Sequence, residues 1–321
     1  MTNIKDLAQM AGVSVATVSR VINHHPYVSE EKRQAVLEAI ESSNYQQNIN
    51  AVHLSKGKTR LLGVVLPFSD HPYFALLLKG IANEALAHNY KLVLFQTSYM
   101  ESREIEALQM LRQKQIDALI FCSRSCDWST IEEYLSFGPI VFCENMTGKP
   151  VSSTYVNHYD VFFKALNLLY HQGHMQIGYC IGRRQGTNSR GRALAYTDFL
   201  NQYDLPYRLD YIIDECLYFE DGAKVVKQIK QMSSPPTALL VTSDQVAAGI
   251  MTCCQKEGIE IPDDLALIGF DNQPIAGMMD ITTIEIPHLE IGKNLFLQAL
   301  NGWEKAHQEV SATFIERSTT N

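Results

Sequence analysis

The chain has 321 residues, of which 46% are hydrophobic and 19% charged, and its formal net charge at pH 7 is −8. It contains neither an N-terminal apolar leader nor a run of about 18 apolar residues, which excludes a secretory signal and a membrane-spanning helix and predicts a cytoplasmic protein. The charge is uneven. Residues 1–60 hold seven basic and five acidic side chains, whereas residues 61–321 hold 20 basic and 30 acidic ones. Affinity for phosphate is therefore expected only at the N-terminal end.

Residues 2–23 predict two short helices joined by a tight turn. Gly12 allows the turn at low cost because it accepts positive φ, and Ser14 is placed to cap the second helix. The apolar residues that would pack across the turn are Ile4, Leu7, Ala8, Val18, Val21 and Ile22. Such a hairpin also occurs in ordinary helical cores, so the pattern alone leaves that alternative open.

The outer face of the second helix carries small side chains, hydroxyl groups and one guanidinium. Small residues at its start permit close approach to base edges in a major groove. Arg20 can donate two hydrogen bonds to guanine O6 and N7, and the hydroxyls of Thr17 and Ser19 can reach phosphates or bases. This face therefore predicts DNA recognition.

The segment Ala11 to Asn23, AGVSVATVSRVIN, closely resembles the start of the LacI/GalR family of bacterial transcription regulators. The resemblance implies that Val15, Ala16 and Arg20 select the operator sequence. A third helix that begins after Ser29 would complete a DNA-binding headpiece of residues 1–45. The headpiece residues expected to contact DNA are Ser14, Val15, Ala16, Thr17, Ser19, Arg20 and Asn23.

Residues 46–60 are polar and are interpreted as a hinge, although their composition alone also fits a flexible linker. A short helix there would be marginal by itself and would form when two chains pair on DNA. Leu54 would then insert between base pairs in the minor groove, as the family's Leu does at the matching position. Gln47 and Val52 depart from the family, which often has Pro and Arg at these places. The first change loosens the helix entry and the second removes a phosphate or minor-groove contact.

From Leu61 onward, short apolar runs alternate with helical patterns, which is typical of parallel sheets with crossover helices. The predicted strands are 61–66, 91–96, 117–122, 140–143, 177–181, 211–214, 238–241 and 265–270. We expect an all-α helix-turn-helix headpiece followed by an α/β core, residues 61–321, of two doubly wound parallel-sheet subdomains. The resemblance implies a fold like the periplasmic sugar-binding proteins. The first subdomain would comprise residues 61–157 with 288–321, and the second residues 158–287.

The two subdomains should face each other across an effector-binding cleft. The segment Ser189 to Tyr196 resembles the family's ARxRxxGY motif, which implies that Arg192 binds the effector. Asp271 matches an IGFDD-like loop and should face it. An Arg and an Asp can together clasp vicinal hydroxyls, which favours a sugar, although a simple ion pair is the structural alternative.

Further residues are expected around the effector. They are Phe68, Tyr73, Phe74, Glu144, Phe219 and Ser243. The rings would cover apolar faces of a sugar, and Glu144 stands where the family usually has Asp. Leu217 competes with Phe219 for the family's aromatic position, and Ser243 stands where many relatives have Asn.

No cofactor and no metal site is predicted. The seven cysteines lack CxxC spacing and are interpreted as small buried hydrophobic residues in a reducing cell. His171 and His174 lack carboxylate or Cys partners and fit a helix end better than a metal site.

These observations predict a homodimeric transcriptional regulator, most simply a repressor of a carbohydrate-utilisation operon. It would bind a pseudo-palindromic operator and respond to a mono-, di- or oligosaccharide, and the sign of that response is left open. A transport-type sugar-binding protein would carry an export signal and no headpiece. An α/β enzyme would need a phosphate loop, but Gly178, Gly182 and Gly186 lack the GxGxxG spacing.

Overall fold

The computed structural model describes residues 2–46, 57–302 and 304–320, and the chain divides into two compact units, residues 1–59 and 60–321. The first unit contains three helices: α1 (Ile4–Met10), α2 (Val15–Ile22) and α3 (Glu30–Ser43). The predictions for Gln47, Val52 and Leu54 lie outside the described residues. Among the described helices, none is both long and apolar enough to cross a membrane.

Local capping chemistry sets the helix starts of the first unit. Asn3 and Asp6 form a reciprocal capping box at α1, in which each side chain accepts from the other residue's backbone N–H. Ser14 Oγ accepts from the Thr17 N–H at 3.2 Å, which confirms the predicted cap of α2. Ser29 precedes α3 as expected, but its side chain makes no capping hydrogen bond. Leu7, Val18 and Val36 are fully buried in a small shared core.

The second unit contains two six-stranded sheets with helices on their faces. The strands are β1 (Leu61–Leu66), β2 (Lys91–Gln96), β3 (Ala118–Phe121), β4 (Ile140–Phe142), β5 (Ser152–Tyr155), β6 (Ile177–Cys180), β7 (Ile212–Ile213), β8 (Ala238–Val241), β9 (Ala266–Phe270), β10 (Thr283–Glu285), β11 (His307–Glu309) and β12 (Thr313–Ile315). The first sheet has the order β11-β5-β4-β3-β1-β2 and the second the order β12-β10-β9-β8-β6-β7. Within the described strands, β10 and β12 form the one antiparallel pair.

The helices of this unit are α4 (Pro72–Ala87), α5 (Glu101–Arg112), α6 (Trp128–Glu132), α7 (His158–His171), α8 (Thr187–Gln202), α9 (Asp221–Gln231), α10 (Asp244–Glu257), α11 (Pro274–Met278) and α12 (His288–Leu300). All eight predicted strands are confirmed, with each end within one residue. The missed strands are short and two of them, β11 and β12, are sheet edges. The strand β5, which was not predicted, is polar. Its residue Ser153 can be buried because the Ser153 hydroxyl is hydrogen-bonded to His307 Nδ1 at 2.9 Å.

The chain passes between the two subdomains three times, after β5, after β10 and after β11. Helix α12 packs on α4 and β11 pairs with β5, so this part rejoins the first subdomain. The expectation that all of residues 288–321 do so is wrong beyond β11, because β12 pairs with β10 in the second sheet. Thr319 Oγ1 also donates to the Leu267 carbonyl at 2.7 Å. These backbone and hydroxyl bonds stabilise the last strand on the second subdomain.

Glycines set the close packing of α9 against α10. A Cβ on Gly249 would overlap the Phe219 carbonyl oxygen, and one on Gly222 would overlap the Gly249 backbone. We expect Gly249→Ala to lower the free energy of unfolding by about 1 to 3 kcal/mol, because the backbones must move apart. Urea denaturation followed by circular dichroism measures the change. Gly277→Ala is the control, since no atom lies within 4 Å of its added Cβ. Equal midpoints for both variants would contradict the packing argument.

Candidate functional site

The exposed face of α2 carries most of the residues expected to bind DNA. Ser14, Val15, Ala16, Arg20 and Asn23 are exposed. Thr17 and Ser19 are half-buried, and Asn23 Nδ2 donates to the Ser19 carbonyl at 2.8 Å, so part of that amide is used to end the helix.

Arg20 is the cation of this face. Within the described residues its side chain forms no ion pair and no hydrogen bond, so its donors remain available to a partner. A guanidinium with free donors beside small side chains such as Ala16 suits base-edge recognition in a major groove.

A cavity of about 700 Å³ lies between the two subdomains of the second unit. Its walls are formed where β1 to β4 and β6 to β9 end, together with the start of α8. The carboxyl ends of parallel strands are where α/β folds bind ligands, because loops from several strands meet there. The size suits a small ligand.

Arg192 lines this cavity from the second turn of α8. Its Nη2 donates to His158 Nδ1 at 3.2 Å, and its guanidinium lies 5.1 Å from the centre of the Phe270 ring. Burial lowers the pKa of His158 well below its usual value, which keeps this ring neutral and able to accept. Burial also lowers the pKa of Arg192, against the opposing effect of Asp271. The buried Arg192 Nε has no protein partner among the described residues.

Asp271 lines the cavity from the loop after β9. Its Oδ1 lies 3.3 Å from His288 Nε2, and its Oδ2 accepts from Gln273 Nε2 at 3.3 Å. Its φ of 96° is unusual for a residue with a side chain, and such strain is often found at functional sites.

A second carboxylate, Asp244, lies behind the Asp271 loop. It accepts from Thr283 Oγ1 at 2.6 Å and from the Gln273 N–H at 2.7 Å, and so holds the loop in place. Burial, with the nearby charge of Asp271, raises the pKa of Asp244 to about 7. No residue larger than glycine fits at 269, because a Cβ there would overlap Asp244 Oδ1.

The first subdomain contributes aromatic and charged groups to the opposite wall. Tyr73 and Phe74 both line the cavity at the start of α4, and their rings meet edge to face at 4.9 Å. Glu144 also lines it and forms an ion pair with Arg124, so part of its acceptor capacity is already used. The buried imidazole of His71 adjoins Phe74, and burial lowers the pKa of His71.

Three of the expected effector residues do not line the cavity: Phe68, Phe219 and Ser243. Phe68 packs edge to face on Tyr99, and Phe219 packs against the core of the second subdomain. Leu217 takes the place considered for Phe219, because the Asp221 carboxylate accepts from its N–H at 2.7 Å and orients the loop. Ser243 is buried, and the preceding Thr242 faces the cavity instead.

Two residues that the sequence did not single out, Arg183 and Tyr218, join the subdomains across the cavity. Arg183, which follows β6, lies over the Tyr99 ring at 3.6 Å and donates to the Arg124 carbonyl at 2.9 Å. Tyr218 Oη donates to Asp70 Oδ1 at 3.2 Å. Arg183 stands two residues after the end of the predicted strand 177–181, a position that could have marked it as a candidate.

Comparison with known proteins finds the same two parts. The family model for bacterial regulatory proteins, lacI family, matches residues 3–48. A second model, periplasmic binding proteins and sugar binding domain of LacI family, matches residues 59–317. The chain belongs to the LacI family. It is a DNA-binding transcriptional regulator and not an enzyme.

This LacI-family regulator resembles two Bacillus subtilis (strain 168) proteins over almost its whole length. It is 41% identical to the HTH-type transcriptional regulator YkvZ over 322 residues, which cover 99% of this chain and all of that protein. It is 37% identical over 303 residues to NtdR, the NTD biosynthesis operon regulator, which covers 94% of this chain and 92% of the relative. The Lac repressor dimer bound to operator and the anti-inducer ONPF superposes with a TM-score of 0.81 at 23% identity, over 99% of each chain. That structure supports the fold.

Proposed function

We propose that this regulator is a cytoplasmic repressor of genes for carbohydrate use, that it binds a pseudo-palindromic operator as a homodimer, and that a sugar in the cavity changes its operator affinity. The observation that carries the sugar response is the placement of Arg192 and Asp271 at one cavity beside Tyr73 and Phe74. Guanidinium and carboxylate groups satisfy the acceptors and donors of neighbouring hydroxyls, and aromatic rings cover the apolar faces of a sugar. The description of the family model that matches this region supports the same ligand class.

The proposal for DNA rests on the face of α2. Residues 1–60, the headpiece together with the hinge, have a net charge of only +2, which favours weak binding by one copy. Two copies would read two half-sites about one helical turn apart, as helix-turn-helix dimers do. In this proposal Val15, Ala16 and Arg20 contact bases, and Leu54 inserts into the minor groove at the centre of the operator.

Operator binding and sugar binding must influence each other equally if they are coupled at equilibrium. A coupling free energy of about 1 to 3 kcal/mol corresponds to a change of about 5 to 150-fold in affinity. A sugar that lowers operator affinity is an inducer, and one that raises it is a corepressor. The proposal includes either direction.

The test begins with selection of an operator from random duplex DNA by the full-length protein. Binding to that operator is then measured by fluorescence anisotropy at fixed salt, with and without mono-, di- and oligosaccharides, both neutral and acidic. We expect at least one sugar to change the affinity about 5 to 150-fold without any turnover of the sugar. A full panel that leaves operator affinity unchanged contradicts the sugar response, while an operator without two-fold symmetry contradicts the homodimer.

A further inference from the structure

Most of the guanidinium groups that line the cavity have no carboxylate at ion-pair distance among the described residues. The cavity's four arginines are Arg124, Arg183, Arg190 and Arg192, and its four carboxylates are Glu101, Asp127, Glu144 and Asp271. Glu144 is paired with Arg124 and Asp271 lies against His288, while Glu101 and Asp127 are exposed to solvent. In the described parts of the chain, no carboxylate lies within 4.0 Å of the other three guanidinium groups. Three cations therefore border one cavity without an ion-pair partner.

Arg183 has hydrogen-bond partners that an anion could replace. Its Nη2 lies 3.3 Å from Ser123 Oγ and its Nη1 lies 3.5 Å from Ser125 Oγ, which are long and weak hydrogen bonds. Glu104, behind this loop, accepts from the Ser125 N–H at 2.7 Å and forms no ion pair with Arg183. Bonds from a guanidinium to a charged oxygen are shorter and about twice as strong as neutral ones.

Helix α8 begins beside the same guanidinium. Gly186 precedes it with φ of 112° and provides no side-chain cap, and a Cβ on Gly186 would lie 2.9 Å from Arg183 Nη2. The first N–H groups of a helix carry partial positive charge, so a cation at this end is unfavourable unless an anion lies nearby. Thr187, Asn188 and Arg190 line the cavity at this point. The start of α8 and the nearby guanidinium groups therefore both favour negative charge in this part of the cavity.

We propose that the effector is an anionic sugar, whose phosphate or carboxylate group is bound by Arg183, Arg190 and the start of α8 while Arg192 and Asp271 bind its hydroxyls. This inference rests on the proposed sugar response and specifies its ligand. Arg183 belongs to the second subdomain and now contacts Ser123, Arg124 and Ser125 of the first. An anion that takes over these donors changes the contacts between the subdomains, so binding of the charged group acts on their arrangement.

The test measures binding to the full-length protein by isothermal titration calorimetry at constant ionic strength. The ligands are glucose, glucose 6-phosphate and glucuronate, with sucrose, sucrose 6-phosphate and inorganic phosphate as further arms. We expect an anionic sugar to bind at least about tenfold more tightly than its neutral counterpart. The phosphate and carboxylate arms distinguish the two kinds of anion. Added salt should weaken the anionic sugar more than the neutral one.

Arg183→Gln is expected to remove most of this preference, so that the affinity for the anionic sugar falls at least about tenfold more than the affinity for the neutral sugar. Arg184→Gln is the matched control, because this neighbouring guanidinium pairs with Asp214 and does not line the cavity. Operator binding without effector reports whether each variant is folded. An equal loss for neutral and anionic sugars in Arg183→Gln shows that this residue only joins the subdomains and overturns the proposal.

The remaining outcomes separate this inference from the proposed function. If neutral sugars change operator binding and anionic sugars bind no more tightly, the proposal of an anionic effector is wrong and the proposed sugar response stands. No response to any sugar overturns both. Inorganic phosphate that binds as tightly as the sugar phosphates overturns the sugar part of the site.

Discussion

Arg192→Ala is expected to abolish the effector response of operator binding while leaving operator binding itself intact. The guanidinium borders the cavity, and its buried Nε has no partner in the described protein, so a ligand is its natural acceptor. Hydrogen bonds to charged groups contribute about 1.5 to 3 kcal/mol each, so losing them lowers effector affinity by one or more factors of ten. An operator-release titration with the identified sugar measures the effect.

Arg103→Ala is the matched control for this variant. It removes the same charge from an exposed position on α5 that does not line the cavity. A normal titration curve for Arg192→Ala would refute the cavity as the effector site. An equal loss in Arg103→Ala would show that net charge, and not the site, controls the response.

Arg20→Ala is expected to relax operator choice at one base pair in each half-site. A bidentate contact between Arg and guanine contributes about 1 to 3 kcal/mol of discrimination against the wrong base. The exposed guanidinium has no intramolecular partner among the described residues, so its removal should leave the headpiece folded. Selection from random duplexes, followed by competition binding at one salt concentration, measures the change in preference.

Lys32→Ala provides the comparison, since this exposed residue at the start of α3 has the same charge and lies off the recognition helix. If Lys32 contacts a phosphate, its loss should weaken binding to all sequences alike and reduce the salt dependence of binding. If the base preferences of Arg20→Ala match those of the unmodified protein, Arg20 contacts the backbone and does not read a base.

The predictions that the structure confirms depend on local chemistry. The cap by Ser14 and the turn at Gly12 are decided within a few residues, and Gly12 indeed has φ of 64°. The apolar strands β1 and β8 begin and end where the sequence predicts, because a short apolar run bounded by polar segments indicates a buried strand without further information. The polar strand β5 gives no such signal, since its burial depends on hydroxyl partners in residues far along the chain.

The cavity lining shows a different limit. Thr242 and Ser243 are neighbours, yet only Thr242 faces the cavity, because successive residues at a strand end point to opposite sides. Leu217 and not Phe219 lines the wall, because the Asp221 carboxylate orients that loop. Whether a residue lines the cavity can change with a shift of one or two positions along the chain, and similarity to a motif does not distinguish positions that close together.

Sequence patterns were enough to locate the helix-turn-helix, the positions of the eight apolar strands along the chain and the segments that carry Arg192 and Asp271, because these depend on caps, periodicity and short motifs. The contacts of Arg183 with Tyr99 and with the Ser123 to Ser125 loop, and the pairing of the final strand with the second sheet, depend instead on the folded arrangement. These contacts join residues about 30 to 80 positions apart in the chain. They form only when two sheets close around one cavity, and no local pattern records that geometry.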